Sequence, residues 1–236
     1  MAQPPELIAH RGASRERAEN TLAAFDRAVE LGADAVELDV HRTSDGRLVV
    51  HHDPSLASAG RAVPIATLTL AEMDAFQVKG EPIPTLDEVI ARVGSRCRIY
   101  CELKGFATAG LAAQALAPLG DKAAVHSFDH RMVAEARRLA PALARGVLET
   151  SYHRDPVFAV RDVAGRDLWQ HEPLIDADLV LAAHQAGCRV IAWTVNSADR
   201  AVQLAGFGVD GLCTDDVAGI GAAIRTMTFH MEADRR

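Results

Sequence analysis

Long apolar runs are missing from this sequence of 236 residues. No stretch approaches the roughly 18 consecutive apolar residues that a membrane-spanning helix needs. The opening segment, MAQPPELIAHRG, also lacks the charged-then-apolar pattern of a secretory signal. We therefore expect a cytoplasmic protein without stable membrane insertion.

Cysteine is scarce, and its spacing argues against both a zinc site and a disulfide scaffold. No C-x-x-C pair occurs, and the four cysteines are too few for a fold held together by disulfides. All of them lie in apolar runs, at Cys97, Cys101, Cys188 and Cys213. We expect buried, reduced thiols.

Positive charge and aromatic side chains are also in short supply. The chain has 25 Lys and Arg residues against 32 Asp and Glu residues, a formal net charge of −7, and only 5% aromatic residues. A nucleic-acid-binding surface needs a basic field that neutralises phosphates, so we expect no nucleic-acid partner. An anion-binding site in this chain would be a local exception to its overall charge.

Short apolar runs alternate with amphipathic stretches along nearly the whole chain. The two patterns are typical of buried strands and of helices, respectively. The predicted strands are Leu7–His10, Ala35–Val40, Arg98–Leu103, Ala123–Phe128, Arg145–Leu148, Asp167–His171, Arg189–Val195 and Asp210–Cys213. The predicted helices are Asn20–Leu31, Leu86–Val93, Ala109–Ala117, His130–Leu139, Ala177–Ala186, Ala198–Gly206 and Val217–Met227.

Start signals support several of these helices. Thr85 opens the Thr-x-x-Glu pattern of a capping box, and Asp176 and Ser197 are good N-cap residues. Eight strands alternating with helices and no internal linker predict an α/β fold, a (β/α)8 TIM barrel. A doubly wound open sheet is the alternative, and the lack of a glycine-rich loop after the first strand disfavours it.

The alternation is interrupted after the second predicted strand. Residues 43–46, Thr-Ser-Asp-Gly, predict a tight turn into an extra hairpin strand at Leu48–Val50. Residues 54–84 then carry only a weak helical signal at Leu70–Gln77, and long irregular loops are often functional. We expect one domain over residues 1–236, in which the short insertion 54–84 lies over the active-site face of the barrel.

Acidic residues concentrate at the ends of two predicted strands. Glu37 and Asp39 alternate on one face of the second strand, and Glu102 lies in the third. Three carboxylates directed into one space repel each other unless a cation compensates them. Oxygen ligands without a nearby cysteine suit Mg²⁺ or Ca²⁺, so the sequence predicts a divalent-metal site that a histidine could join. A solvated strand edge is the alternative for the Glu37–Asp39 pair, and the repeat of the pattern at Glu102 disfavours it.

Histidines and cations surround the same strand ends. His10 ends the first strand and His52 follows the hairpin strand, and histidine can act as an acid or a base near neutral pH. Arg11 and Lys104 flank the carboxylates and suit an anion held against the metal. A metal, two histidines and two cations together fit phosphodiester hydrolysis. Further pocket candidates of lower weight are His41, His126 and His171.

A series of longer motifs runs through these residues in a fixed order. The early ones are Ile8-Ala9-His10-Arg11-Gly12, Glu19-Asn20-Thr21, Gly32 to Val40, Thr43 to Gly46, His52-Asp53-Pro54 and Ile83 to Glu88. The later ones are Glu102-Leu103-Lys104, Ser127-Phe128, Trp193 to Asn196 and Gly208 to Asp215. Over residues 7–216 the chain thereby resembles the glycerophosphodiester phosphodiesterase family.

The resemblance implies a TIM-barrel enzyme that hydrolyses glycerophosphodiesters, for example glycerophosphocholine or glycerophosphoethanolamine, to glycerol 3-phosphate and an alcohol. It implies a divalent metal bound by Glu37, Asp39 and Glu102, and an acid–base pair formed by His10 and His52. It also implies phosphate contacts from Arg11 and Lys104, a site shaped by Glu19 and Asn20, and a glycerol pocket lined by Trp193.

Two other functions share these features. A lysophospholipase D on the same barrel would need an apolar groove beside the pocket. A non-catalytic barrel that binds a phosphorylated metabolite would usually lack a metal ligand or a histidine, and none is missing here. The sequence leaves open which metal binds, the head group, the role of each histidine, attack by water or by the substrate's 2-hydroxyl, and the oligomeric state.

Overall fold

The computed structural model describes residues 4–58 and 60–233, and it confirms the alternation of strands and helices. Its strands are β1 (Glu6–His10), β2 (Ala35–Arg42), β3 (Leu48–Val50), β4 (Ser55–Ser58), β5 (Arg61–Pro64), β6 (Gln77–Val78), β7 (Glu81–Pro82), β8 (Arg98–Leu103), β9 (Ala123–Ser127), β10 (Ala144–Glu149), β11 (Asp167–His171), β12 (Arg189–Trp193) and β13 (Gly211–Thr214). Its α-helices are α1 (Leu22–Glu30), α2 (Leu70–Met73), α3 (Leu86–Val93), α4 (Ala109–Leu116), α5 (His130–Leu139), α6 (Phe158–Asp162), α7 (Ala177–Gln185), α8 (Ala198–Phe207) and α9 (Val217–Ala233).

Eight of these strands close into a parallel barrel. The order around the sheet is β1, β13, β12, β11, β10, β9, β8 and β2, and a parallel pairing of β1 with β2 completes the circle. Strand β3 joins β2 in antiparallel register outside the circle, as the predicted hairpin strand. The structure therefore confirms the predicted (β/α)8 TIM barrel.

One buried side chain from each barrel strand fills the interior of the barrel. This interior ring consists of Ile8, Ala35, Tyr100, Ala124, Leu148, Trp169, Ile191 and Cys213. Because alternate residues of a strand face the same side, the residues two positions further along β1, β2, β8 and β9 face the same interior. They are His10, Glu37, Glu102 and His126. A packed interior thus presents polar side chains only where the strands end.

A charged group occupies the opposite, N-terminal end of the barrel. Glu6 accepts hydrogen bonds from Arg98, from the Tyr100 hydroxyl at 2.8 Å and from Arg189 at 2.6 Å. Arg189 also lies 3.5 Å from the fully buried Asp167. Burial opposes the charge of Glu6, but the two arginines outweigh it and lower its pKa. We call these five residues the N-terminal charge network.

The helices begin at the predicted cap residues. Thr85 forms a complete capping box with Glu88, and the side chains of Asp176 and Ser197 cap α7 and α8. Helix α1 begins later than predicted, with Thr21 as its N-cap. Asn20 precedes the helix because its φ of 57° lies in the left-handed region.

The insertion has more regular structure than its sequence pattern indicates. It contains two antiparallel hairpins, β4–β5 and β6–β7, and the short helix α2 in place of the predicted 70–77 helical segment. A small apolar cluster fixes it to the hairpin strand β3, since Leu56, Ile65 and Met73 pack with Val49. Such short strands depend on this packing rather than on a strong local pattern. Its position over the active-site face and the single-domain extent stay predictions.

Helix α6 lies between two barrel strands and was not predicted from the sequence because it is short. Helix α6 has five residues, too few to display a helical period. Helix α9, at 17 residues, extends beyond the predicted end at Met227. Across the two described ranges, no helix combines the length and apolar character required to cross a membrane.

Candidate active site

The register of the barrel brings the predicted polar residues together at the C-terminal end. His10 of β1 lies opposite Glu37 of β2, and Asp39 of β2 lies opposite Glu102 of β8. The next pairing places Glu102 opposite His126 of β9. Four neighbouring strands therefore present these five side chains as one group.

Asp39 is the most tightly held carboxylate of this group. Asn20 Nδ2 donates to its Oδ2 at 2.8 Å, and Arg11 Nε lies 3.2 Å from the same oxygen. Lys104 Nζ lies 3.4 Å from its Oδ1. Burial opposes the charge of Asp39, but Lys104 and Arg11 together lower its pKa. Asp39 is therefore an ionised side chain that links two cations.

Arg11 adopts a backbone conformation that directs both its backbone and its side chain toward carboxylates. Its φ is 57°, and its backbone N–H donates to Glu37 Oε2 at 3.2 Å. Its Nη1 donates to Glu19 Oε1 at 3.0 Å. Glu19 thus orients the guanidinium, as Asn20 orients Asp39, and both residues contact the predicted site.

Glu102 carries an unfavourable charge in this arrangement. Burial, and then the negative charge of Asp39, raise its pKa to about 8, although Lys104 Nζ lies 3.2 Å from its Oε1. Two cations are therefore insufficient to balance the carboxylates at neutral pH. A bound divalent cation would supply the missing positive charge.

The donor atoms of three buried residues are close enough to share such a cation. Each of Glu37, Glu102 and His126 offers a ligand atom within 4.8 Å of the others. The predicted ligand Asp39 is outside this group, and its buried Oδ1, which faces Lys104 at 3.4 Å, accepts no hydrogen bond from the described residues. Buried carboxylate oxygens together with an imidazole suit a divalent metal. The residues therefore fit the metal that the sequence predicts.

His10 is paired with a carboxylate that the sequence analysis did not select. Its Nδ1 lies 2.7 Å from Asp215 Oδ1, directly after β13. Burial disfavours the imidazolium, but the Asp215 hydrogen bond and the charge of Glu37 raise the pKa of His10. Partial burial likewise opposes the charge of Asp215, yet the His10 hydrogen bond leads the contacts that lower its pKa to about 2. Each side chain therefore favours the charged form of the other.

His52 has the same type of partner. Its Nδ1 lies 2.8 Å from Asp53 Oδ1, and its backbone carbonyl lies 3.0 Å from His41 Nε2. Burial lowers the pKa of His41, so the neutral ring donates this hydrogen bond. His41 thereby contacts the backbone that carries His52. Both predicted acid–base histidines thus use Nδ1 for a carboxylate, which leaves Nε2 for other contacts.

Trp193 lies apart from the charged residues. It ends β12, and its ring packs edge-on against Phe128 at 5.4 Å and beside His171 at 5.2 Å. Its buried Nε1 has no hydrogen-bond partner in the described chain. The C-terminal end of the barrel therefore has an aromatic half, formed by Phe128, His171 and Trp193, and a charged half on β1, β2 and β8 that His126 of β9 joins.

Two site residues had weak sequence signals. Asp215 belongs to a late motif that follows the eighth barrel strand. Because the eighth strand of a closed barrel lies beside the first, this position places Asp215 near His10 at the end of β1. His126 received low weight because a single histidine at a strand end is common. Its position next to Glu102 follows only from the parallel register of β8 and β9.

The comparisons with known proteins agree with this geometry. Residues 10–218 match the glycerophosphoryl diester phosphodiesterase family. The chain is 32% identical to a glycerophosphodiester phosphodiesterase of Caldanaerobacter subterraneus over 228 residues, which cover 89% of this chain and 93% of the relative.

Solved structures are similar as well. An Oleispira antarctica phosphodiesterase, in complex with the product sn-glycerol-3-phosphate, is 29% identical with a TM-score of 0.84, covering 94% of this chain and 97% of that one. A glycerophosphodiester phosphodiesterase of Parabacteroides distasonis is 26% identical with a TM-score of 0.85, covering 97% of this chain and 100% of that one. The chain therefore belongs to the glycerophosphoryl diester phosphodiesterase family, a family of phosphoric diester hydrolases.

Proposed function

We propose that this protein hydrolyses glycerophosphodiesters in a metal-dependent reaction, with His10 and His52 as the acid–base pair. The products are glycerol 3-phosphate and an alcohol such as choline or ethanolamine. The observation that carries the proposal is the arrangement of two carboxylate-paired histidines around buried carboxylates and two cations. We expect the reaction to take place in the cytoplasm.

Glu37, Asp39 and Glu102 are the predicted metal ligands, and Glu102 best illustrates their need for a cation because its pKa is raised to about 8. A divalent metal bound there supplies Lewis-acid polarisation of a phosphoryl oxygen. Arg11 and Lys104 bind the phosphate and neutralise charge that develops on it. Their own contacts with Asp39 keep both cations at the edge of the carboxylate group.

The histidines move protons at Nε2. Nδ1 of each ring faces a carboxylate, which fixes the ring orientation. One histidine removes a proton from the attacking oxygen, and the other protonates the leaving alcohol. The attacking oxygen belongs either to water or to the 2-hydroxyl of the substrate, in which case a cyclic phosphate forms first.

The aromatic half of the site suits the less charged part of the substrate. Trp193 packs with Phe128 and offers an apolar ring beside an unpartnered indole N–H. We assign the glycerol moiety to this ring because a carbon backbone with hydroxyls matches an aromatic face with one donor. The product complex of the Oleispira antarctica phosphodiesterase supports a glycerol phosphate ligand in this class of barrel.

The proposal is tested by turnover of purified glycerophosphocholine. His10→Ala and His52→Ala should each lower kcat by about 100-fold or more, the scale of general acid–base catalysis. His184→Ala is the matched control, because His184 also pairs with a carboxylate, Asp210 at 2.9 Å, but in the region around Glu6 and Arg98. Near wild-type turnover in either site variant would refute the acid–base assignment.

Metal dependence is tested separately by chelation. Exhaustive dialysis against EDTA should abolish turnover, and adding back a divalent cation should restore it. Activity that survives this treatment would exclude the metal from the reaction, whatever the histidine variants show.

One observation favours a second candidate, a lysophospholipase D activity at the same site. Phe106 follows Lys104 by two residues and is 96% exposed, and Phe128 beside Trp193 is 47% exposed. Exposed aromatic rings next to a pocket can bind an acyl chain. Turnover of lysophosphatidylcholine that falls in Phe106→Ser, while glycerophosphocholine turnover is unchanged, would support it. Equal loss or no loss on both substrates would exclude a role for this ring.

A further inference from the structure

We propose that His126 is a nitrogen ligand of the divalent cation, and that this ligand makes the site prefer a transition metal such as Mn²⁺ to Mg²⁺ or Ca²⁺. The inference rests on the proposed metal-dependent function, because it concerns the same carboxylate group. It adds a ligand to the predicted Glu37, Asp39 and Glu102 set.

The position of His126 is the first argument. It lies in register with Glu102, and its Nε2 is 3.6 Å from Glu37 Oε1. This separation is too long for a hydrogen bond. Metal–nitrogen and metal–oxygen bonds of about 2.0–2.2 Å place two ligands of one ion roughly 3–3.5 Å apart. The distance therefore suits two atoms that share an ion better than two that share a proton.

The environment of the ring is the second argument. The His126 side chain is only 2% exposed, and no hydrogen bond involves either of its ring nitrogens among the residues that the structure describes. Its ring stacks on Trp169 at 4.2 Å with an interplanar angle of 11°. Stacking fixes the plane of a buried polar ring, and burial without a partner is unfavourable for such a group. Nε2, 3.6 Å from Glu37 Oε1, is the nitrogen of this fixed ring that a cation held by Glu37 would reach.

The third argument is the competition for Asp39. Its Oδ2 already contacts Arg11 and Asn20, and its Oδ1 faces Lys104 Nζ at 3.4 Å. The donor atoms that lie together are then those of two carboxylates, Glu37 and Glu102, and one imidazole, His126. Mg²⁺ and Ca²⁺ prefer oxygen ligands alone, whereas imidazole raises the affinity for first-row transition metals. A mixed set of this kind predicts the preference stated above.

The experiment uses Mn²⁺ and the full chain after removal of metal by chelation. Free Mn²⁺ is measured by electron paramagnetic resonance, and pulsed measurements on the bound ion report coupling to a directly ligated ¹⁴N nucleus. We expect this coupling in the wild-type protein and its loss in His126→Gln. We also expect His126→Gln to weaken Mn²⁺ binding by about 10- to 100-fold, the scale observed when metal sites lose a supporting group, while Ca²⁺ binding changes by less than about threefold.

Two further variants make the result decisive. His130→Gln is the matched control, because His130 is the next histidine along the chain and its Nε2 faces the Leu148 carbonyl and Glu149 instead of Glu37 or Glu102. It should keep the coupling. His10→Gln tests the other nearby imidazole, and loss of the coupling in this variant instead of His126→Gln would overturn the assignment.

Other outcomes also decide the question. Absence of ¹⁴N coupling in the wild-type protein would overturn the inference without any variant. The test therefore stays decisive even if a variant fails to fold. Equal weakening of Mn²⁺ and Ca²⁺ binding in a folded His126→Gln would reduce His126 to a packing role. Nitrogen ligation without turnover of any glycerophosphodiester would refute the proposed function alone, and turnover without nitrogen ligation would refute only this inference.

Discussion

Replacing Asp215 with Asn tests whether this carboxylate positions and charges His10. Asp215 Oδ1 receives His10 Nδ1 at 2.7 Å and the Ser14 hydroxyl at 3.0 Å, and its Oδ2 accepts from Asn196 at 2.6 Å. An asparagine has only one oxygen in place of the two. Its amide nitrogen must therefore face either His10 or the Asn196 amide, and one hydrogen bond is lost in both orientations.

The size of the effect follows from the type of contact. A hydrogen bond to a charged group contributes about 1.5–3 kcal/mol, which corresponds to roughly 10- to 150-fold in rate if it is lost mainly in the transition state. Removal of the negative charge should also lower the pKa of His10, because Asp215 is the leading contact that raises it. Two observables should thus change together.

The assay is kcat and kcat/KM for glycerophosphocholine as a function of pH. Asp215→Asn should lower kcat within the stated range and move the limb of the profile governed by His10 to lower pH. Asp216→Asn is the matched control, since the neighbouring Asp216 binds Arg15 and caps α9. A kcat within twofold of wild type and a superimposable pH profile would refute the positioning role of Asp215.

Three other predictions concern stability. Glu6→Gln breaks the N-terminal charge network and should cost about 1.5–3 kcal/mol, because two partly buried arginines lose a charged hydrogen-bond acceptor. Thermal unfolding should show a Tm lower by roughly 3–12 °C, and a loss of kcat per folded molecule would contradict the assignment to stability alone. Gly146→Ala should lower the free energy of unfolding in urea by about 1–3 kcal/mol, because its Cβ would lie 2.7 Å from the Asp167 carbonyl oxygen. Gly206→Ala has open space around its Cβ and should raise the free energy of unfolding by about 0.5–1 kcal/mol. Equal effects of the two substitutions would refute the packing argument. Because the pKa of Asp215 is lowered in the folded protein, its contribution to the unfolding free energy is complete above pH 3.8 and is progressively lost as the pH falls toward about 2. Urea titrations across that interval should show a steeper pH dependence for the wild type than for Asp215→Asn. Parallel curves would show that the Asp215–His10 pair contributes nothing to stability.

The barrel could be predicted from the sequence because each of its units is local. Strand β11, the short polar segment Asp167–His171, has the predicted bounds, and the predicted helix with Asp176 as its N-cap follows it directly. The capping box of Thr85 was also predictable because both of its hydrogen bonds lie within four residues.

The insertion could not be predicted in the same way. The two-residue strands β6 and β7 are too short for a period of alternation, and the β4–β5 hairpin depends on contacts of Leu56 and Ile65 with Val49. Contacts between segments determine this structure, and no local pattern reveals them.

The candidate site shows the same division. The sequence placed His10, Glu37 and Glu102 together because all three lie at strand ends of one sheet. Their partners depend on which strands become neighbours when the sheet closes. Asp215 reaches His10 only because β13 pairs with β1, and His126 reaches Glu37 across β8.

The interior ring has a consequence for how the protein can change over evolutionary time. Eight packed side chains, from Ile8 to Cys213, separate the Glu6 network at one end from the reactive carboxylates at the other. The packed ring keeps the two groups out of contact, so substitutions at the N-terminal end alter stability without touching the side chains of the candidate site. New substrates can therefore be acquired by changes in the loops of the open end, while compensating mutations that restore folding accumulate at the opposite end of the same strands.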